Sequence, residues 1–300
     1  MEILNGLWAI NGELTNLGSS AEGLLLNVRM VNVTFEDLLV TDFDPEVNTE
    51  SFLAKIADYK KLGINAFTLN LQGGSPGYEG AINSAYSPDG KLKTKYLHRV
   101  ADVIRICDVQ GIVIILGCLY QRQDQVLRDN TAVFQAIKNT ASWIKKQQFG
   151  NVILEIANEF PHQGFDHEVI RNEDTLVELI QLAKSTHPDL LVSVSGLGNG
   201  SLSPKIIEAS DFILIHFNNI SVQKYEDRIN QLMYFHKPIV CNEDDKIGEE
   251  GVKALTVAVK NKCSWGYMNK EVNQYIPLEF KGIADDSLVY SKILELVQPQ

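Results

Sequence analysis

Eight short apolar runs rich in β-branched residues, separated by stretches of helical periodicity, restrict the fold of this chain more than any other feature. The runs are Leu24 to Phe35, Ala66 to Leu71, Val113 to Leu119, Val152 to Ala157, Leu191 to Ser195, Phe212 to Phe217, Ile239 to Asn242 and Ser264 to Met268. Between them lie amphipathic patterns such as Ser51 to Leu62, with Phe52, Ile56 and Tyr59 on one face, and Tyr96 to Val109, with Leu97, Val100, Ile104 and Cys107 on another. Glycines at Leu62-Gly63-Ile64, Gln110-Gly111-Ile112 and Phe149-Gly150-Asn151 stand where such helices must stop before the next strand. Strand and helix alternate eight times with no Gly-rich phosphate loop after the first strand, which predicts an α/β chain folded as a single (β/α)8 TIM barrel. Ahead of the barrel, Leu7 to Ile10, the turn dipeptide Asn11-Gly12 and Glu13 to Thr15 predict a short N-terminal β-hairpin. With no internal repeat, low-complexity segment or linker, residues 1–300 read as one catalytic barrel domain, of which 1–23 form the hairpin and the lead into the barrel.

Composition narrows the partners. A formal net charge of −11 argues against nucleic acid or an anionic membrane surface, which demand a basic face, and leaves a neutral substrate as the expectation. No apolar run approaches the length of a membrane span. The start Met1-Glu2-Ile3-Leu4 lacks the regions of a signal peptide, so the chain as given reads as cytoplasmic, or as secreted where a leader has been removed. The four cysteines, Cys107, Cys118, Cys241 and Cys263, form no CxxC pair and read as small buried hydrophobes. Oligomeric state is not legible.

The fourth and seventh runs end alike. Asn151-Val-Ile-Leu-Glu-Ile-Ala-Asn158-Glu159 and Pro238-Ile-Val-Cys-Asn242-Glu243 both close an apolar strand on Asn-Glu, 84 residues apart (243 − 159). That spacing is three strand-plus-helix units of roughly 28 residues, which places both carboxylates at the mouth of one barrel. The other strand ends add Asn70 and Gln72, Tyr120, Gln121 and Arg122, Ser195, His216 and Asn218, Asp244, and Trp265 with Lys270, a polar ring suited to hydroxyl groups. The loop from Gly73 to Lys91 follows the second strand and is long enough to wall an active-site cleft.

These motifs resemble the clan A glycoside hydrolases, whose (β/α)8 barrels include the cellulase-like family 5. The residues that carry the resemblance are Ile156-Ala-Asn-Glu159, Ile215-His216, Pro238 to Glu243 and Ser264-Trp265. It implies that Glu159 is the acid/base and Glu243 the nucleophile of a retaining hydrolase cleaving a β-linked glycoside or polysaccharide. It further implies that Asn158 holds the sugar 2-hydroxyl, that His216 lies near the carboxylates, and that Trp265 floors the sugar subsite. The substrate would be a carbohydrate, with no cofactor and no metal. Two features depart from family 5. That family usually carries an arginine at the end of the second strand, against the nucleophile, where this chain reads Phe67-Thr-Leu-Asn-Leu-Gln72, and His-x-Tyr on the sixth, where it reads His216-Phe217-Asn218.

Other readings compete. Glu159 could cap the following helix, Asp244 and Asp245 could cap the helix near Glu249, and Glu155 could form a buried ion pair with Arg29. His162, Asp166 and His167 could gather a metal after the fourth strand. A divalent-metal sugar isomerase or epimerase would use Glu159, His162 or His216, and Glu243 as ligands, and a carbohydrate-binding barrel without catalysis would show the same polar ring.

Overall fold

The computed structural model describes every residue except Leu38, Thr41, Glu79 and Gln300. Eight parallel strands follow one another round a barrel: β4 (Leu26–Arg29), β5 (Ala66–Asn70), β6 (Val113–Leu119), β7 (Val152–Ala157), β8 (Val192–Ser193), β9 (Ile213–His216), β10 (Ile239–Glu243) and β11 (Cys263–Tyr267). β11 pairs back with β4, and the remaining seam between β8 and β9 is spanned by a bridge from Ser195 to Leu214. The expected barrel is therefore present. In front of it β1 (Glu2–Leu4), β2 (Leu7–Ile10) and β3 (Glu13–Leu14) make a three-stranded antiparallel sheet, one strand more than the expected hairpin. Asn11 and Gly12 both have positive φ, as the type I′ turn requires.

The helices between the strands include α1 (Pro45–Leu53), α2 (Ile56–Lys61), α3 (Thr94–Val109) and α4 (Asn130–Gln147). The helix expected over Ser51 to Leu62 is really two, because Asp44 caps α1 through Glu46 and Val47 and Pro45 starts it, six residues earlier than apolar spacing suggested (51 − 45). Gly63 and Gly111 take the left-handed conformation that ends a helix. At the third expected stop Gln148 does so instead, at φ 58°, and Gly150 is not needed for it. Among the described residues no helix is long and apolar enough to cross a membrane. All four cysteines are buried and free.

Alternate residues of each strand face the barrel interior. At its amino-terminal end the interior is apolar: Leu25, Ala66, Val113, Ile153, Phe212, Leu214 and Val240 pack together, and Trp8 of β2 joins them edge-on to Phe212. One layer higher the same faces turn polar, with Asn27, Thr68, Glu155, Ser193 and Asn242, all buried. This layer is tight. A Cβ on Gly266 would lie 2.1 Å from Asn27 Nδ2 and 2.7 Å from the Asn242 Cα, so only glycine fits there. Above it stand Arg29, Asn70 and His216, at the carboxyl end where barrel enzymes keep their chemistry.

Candidate active site

Glu159 lies two residues beyond the end of β7, and its backbone is left-handed, at φ 52°. A bulky residue holds that conformation only where its surroundings impose it, and such strain gathers at functional sites. Here the Glu159 N–H donates to Ser195 Oγ at 2.8 Å. Glu243 arrives differently. The pairing of β10 with β9 shifts between Cys241 and Glu243, so that Glu243 lies opposite His216. A bulge of this kind re-aims a side chain that strict alternation would send to the other face.

His216 stands between the two glutamates, its Nδ1 3.3 Å from Glu159 Oε1 and 3.6 Å from Glu243 Oε2. Donor atoms of all three residues lie within 4.8 Å of one another. Arg29, at the end of β4, places Nη2 2.7 Å from Glu243 Oε2 and 2.9 Å from Asn158 Oδ1. The arginine beside Glu243 thus comes from the first barrel strand, not the second. Arg29 is committed to Glu243, so the ion pair expected with Glu155 is replaced: Glu155 Oε1 accepts from Ser195 Oγ at 2.5 Å and Oε2 from Asn242 Nδ2 at 3.4 Å.

The two glutamates are held unequally. Burial pushes the Glu243 carboxyl up, but Arg29, then His216 and the Asn218 amide that donates to Oε1, outweigh it and hold the group below the ordinary carboxylate range. Burial lowers the His216 imidazole, and Glu243 and Glu159 overcome this and raise it. Arg29 and His216 thus both favour an ionised Glu243, while Glu159 contacts His216 and, through Oε2, the Gln121 amide at 3.5 Å.

The other expected site residues divide. Tyr120 and Gln121 line a cleft of about 480 Å3 together with Ser75, Pro76, Tyr78 and Ile82 of the long loop; neither glutamate lines it, and Gln121 is the residue that connects it to Glu159. Asn158 donates through Nδ2 to Gln121, and Asn218 reaches Glu243. Asn70 is buried, and neither of its side-chain polar atoms has a partner among the described residues; His216 Nε2 and Asn218 Oδ1 are in the same condition. Lys270 lies 3.9 Å from Asp245 and adds to the positive field on Glu243.

Four residues are placed otherwise. Gln72 faces no cleft: its amide donates to Ser84 Oγ and the Gln123 carbonyl and accepts from Tyr120 N, pinning one loop to another. Trp265 is fully buried and donates its indole N–H to Asp244 Oδ2 at 2.8 Å, so it offers no open face to a sugar ring. Asp244, also fully buried, accepts from Tyr225 at 2.7 Å as well and is raised by burial; it holds the wall behind Glu243. Among the described residues His167 belongs to no cluster of metal-ligating side chains; its Nδ1 and its backbone N–H both meet buried Asp124.

No family model matches the sequence, and no curated protein matches it. Solved structures do match in fold, and the fold is that of the glycoside hydrolase family 5 barrels of clan A. An endo-1,4-β-mannanase from Rhizomucor miehei has a TM-score of 0.62 at 13% identity, covering 98% of both chains. A glycoside hydrolase family 5 enzyme from Prevotella bryantii B14 gives 0.64 at 9% identity over 97% of this chain and 100% of its own. A broad-specificity endoglucanase from Clostridium longisporum gives 0.61 at 12% identity over 94% of this chain and 97% of its own.

Proposed function

We propose that this chain is a retaining glycoside hydrolase acting on a β-linked glycoside or polysaccharide, with residues 1–300 forming one catalytic domain. The observation that carries the reading is a close, unequal pair of carboxylates at the barrel mouth, one of them held ionised. Double displacement needs a pair about 5–5.5 Å apart, one group to attack and one to donate a proton. Glu243, gripped by Arg29, is suited to attack the anomeric carbon. Glu159 would protonate the departing oxygen, leaving a glycosyl ester on Glu243, and would then take a proton from the water that breaks the ester. The unpartnered polar atoms of Asn70 and Asn218, and His216 Nε2, support a polar ligand at the barrel mouth. The matched barrels include endoglucanases and a mannanase, and a mutant of the Prevotella enzyme is described in complex with a xyloglucan tetradecasaccharide, which supports a carbohydrate as the substrate here.

The same three donors could hold a divalent cation, as the isomerase reading requires. The Arg29 guanidinium already supplies positive charge at Glu243 Oε2 and would repel a cation bound beside it, which favours the hydrolase. A screen of aryl β-glycosides and polysaccharides, run with wild type and Glu243→Ala in parallel, tests the proposal. Hydrolysis by wild type, resistant to chelators and lost in the variant, is expected; turnover that vanishes with chelation would favour the metal enzyme.

A further inference from the structure

Glu155 is a third carboxylate in the same barrel, fully buried one layer below the pair, and double displacement has no use for it. It lies on β7 at the same strand parity as Glu159. Its Oε1 accepts the Ser195 hydroxyl proton at 2.5 Å. A serine hydroxyl has one proton to donate. With that proton directed at Glu155, the lone pairs of Oγ are left to accept, and one of them receives the N–H of Glu159 at 2.8 Å. Two backbone bonds tie Ser195 to the same turn, its N–H to the Ala157 carbonyl at 3.3 Å and its carbonyl from the Phe160 N–H at 3.1 Å. The residue so held is the one whose left-handed backbone needs outside support. The other oxygen of Glu155 accepts from Asn242, the neighbour of Glu243, so one buried carboxylate is connected to the backbone turns that carry both glutamates.

We propose that Glu155 and Ser195 are positioning residues that fix the Glu159 carboxyl for proton donation, a role that rests on the acid/base assignment above. Glu155 orients the Ser195 hydroxyl, and the hydroxyl locks the strained turn from which the Glu159 side chain is aimed. Without the lock the turn is free to relax, and a carboxyl displaced by about 1 Å can lose on the order of 10²-fold in rate. The loss falls selectively, because only leaving groups that need a proton depend on Glu159.

The test is kcat/KM across aryl β-glycosides whose leaving groups run from dinitrophenolate to unsubstituted phenolate, with melting temperature recorded for each variant. Ser195→Ala is expected to lose roughly tenfold or more on the phenyl glycoside beyond whatever it loses on the dinitrophenyl glycoside, within the range that acid catalysis supplies. Ser195→Thr, which keeps the hydroxyl, should recover most of the difference. Glu155→Gln should change the series in the same direction, and the double variant Ser195→Ala/Glu155→Gln should be little worse than the poorer single, since the chain is already broken. If Glu155→Gln does not fold, Ser195→Ala and Ser195→Thr decide the matter. An equal loss across the series, or none, overturns the proposal. Glu159→Ala is the reference: if it shows no leaving-group dependence, the acid/base assignment fails first and the positioning role falls with it.

Discussion

Removing Arg29 should expose how the site keeps Glu243 ionised. Arg29→Met deletes a fully buried guanidinium whose Nη2 is 2.7 Å from Glu243 Oε2, and leaves the carboxylate with His216 and Asn218 for compensation. Breaking a buried pair by removing one partner costs about 3–5 kcal/mol, because the remaining charge stays desolvated. With an unfolding entropy of roughly 2.1 cal/mol/K per residue, a chain this long loses about 1.6 °C per kcal/mol, so melting should fall by about 5–8 °C at neutral pH. The effect should depend on pH. Glu243 is depressed in the native state, so its contribution to stability is present above the unfolded carboxylate pKa and lost as pH falls through the lower, native one. In the variant, burial without Arg29 pushes the same carboxyl up, and it takes a proton at a pH where wild type does not. The stability gap should therefore be widest near pH 7 and narrow toward pH 5, while the acid limb of kcat/KM moves to higher pH. Calorimetry of wild type, Arg29→Met, Glu243→Gln and the double variant is the assay. The double variant should be more stable than Arg29→Met alone, since neither charge is then stranded. A pH-independent gap, or strict additivity of the two single changes, would refute the reasoning.

Glu159→Ala should keep substantial activity on activated glycosides and lose it on poor leaving groups, with added azide yielding a β-glycosyl azide. Glu243→Ala should be slow on both by a factor on the order of 10⁴, and azide should yield the α-product; the opposite pattern would exchange the roles. Trp265→Phe removes the indole donor from Asp244, so stability should fall by about 1–3 kcal/mol with KM little changed; a tenfold rise in KM at unchanged stability would restore the stacking role. Gly266→Ala forces a methyl group against Asn27 and the Asn242 backbone and should cost about 1–3 kcal/mol by denaturant unfolding, a neutral result showing that the polar layer can yield.

The barrel was legible because its signal is local. Apolar runs, helical periodicity and the Asn-Glu dipeptides are properties of neighbouring residues, and all eight expected strands overlap observed ones, although the first, expected over Leu24 to Phe35, is regular only over Leu26–Arg29. Beyond Met30 the chain turns, with Val33 N donating to the Met30 carbonyl and Phe35 N to that of Asn32, and the segment stays buried without being a strand. Apolar content alone does not separate those two cases. Strand parity could have marked Arg29, which shares an inward face with Asn27 inside an apolar run.

What parity could not supply is the partner. Glu243 meets Arg29 from 214 positions earlier in the chain (243 − 29), a neighbour it acquires only because β11 pairs with β4 and closes the barrel. The bulge that turns Glu243 toward His216, the burial of Trp265 against Asp244, and the use of Gln72 to pin a loop depend in the same way on what lies across the barrel. The sequence by itself determined the order of strands and helices and which two glutamates close them, since short-range patterning controls both. Only the tertiary structure decided what each side chain faces, because hydrogen-bond partners and desolvation are set by residues far away in the chain.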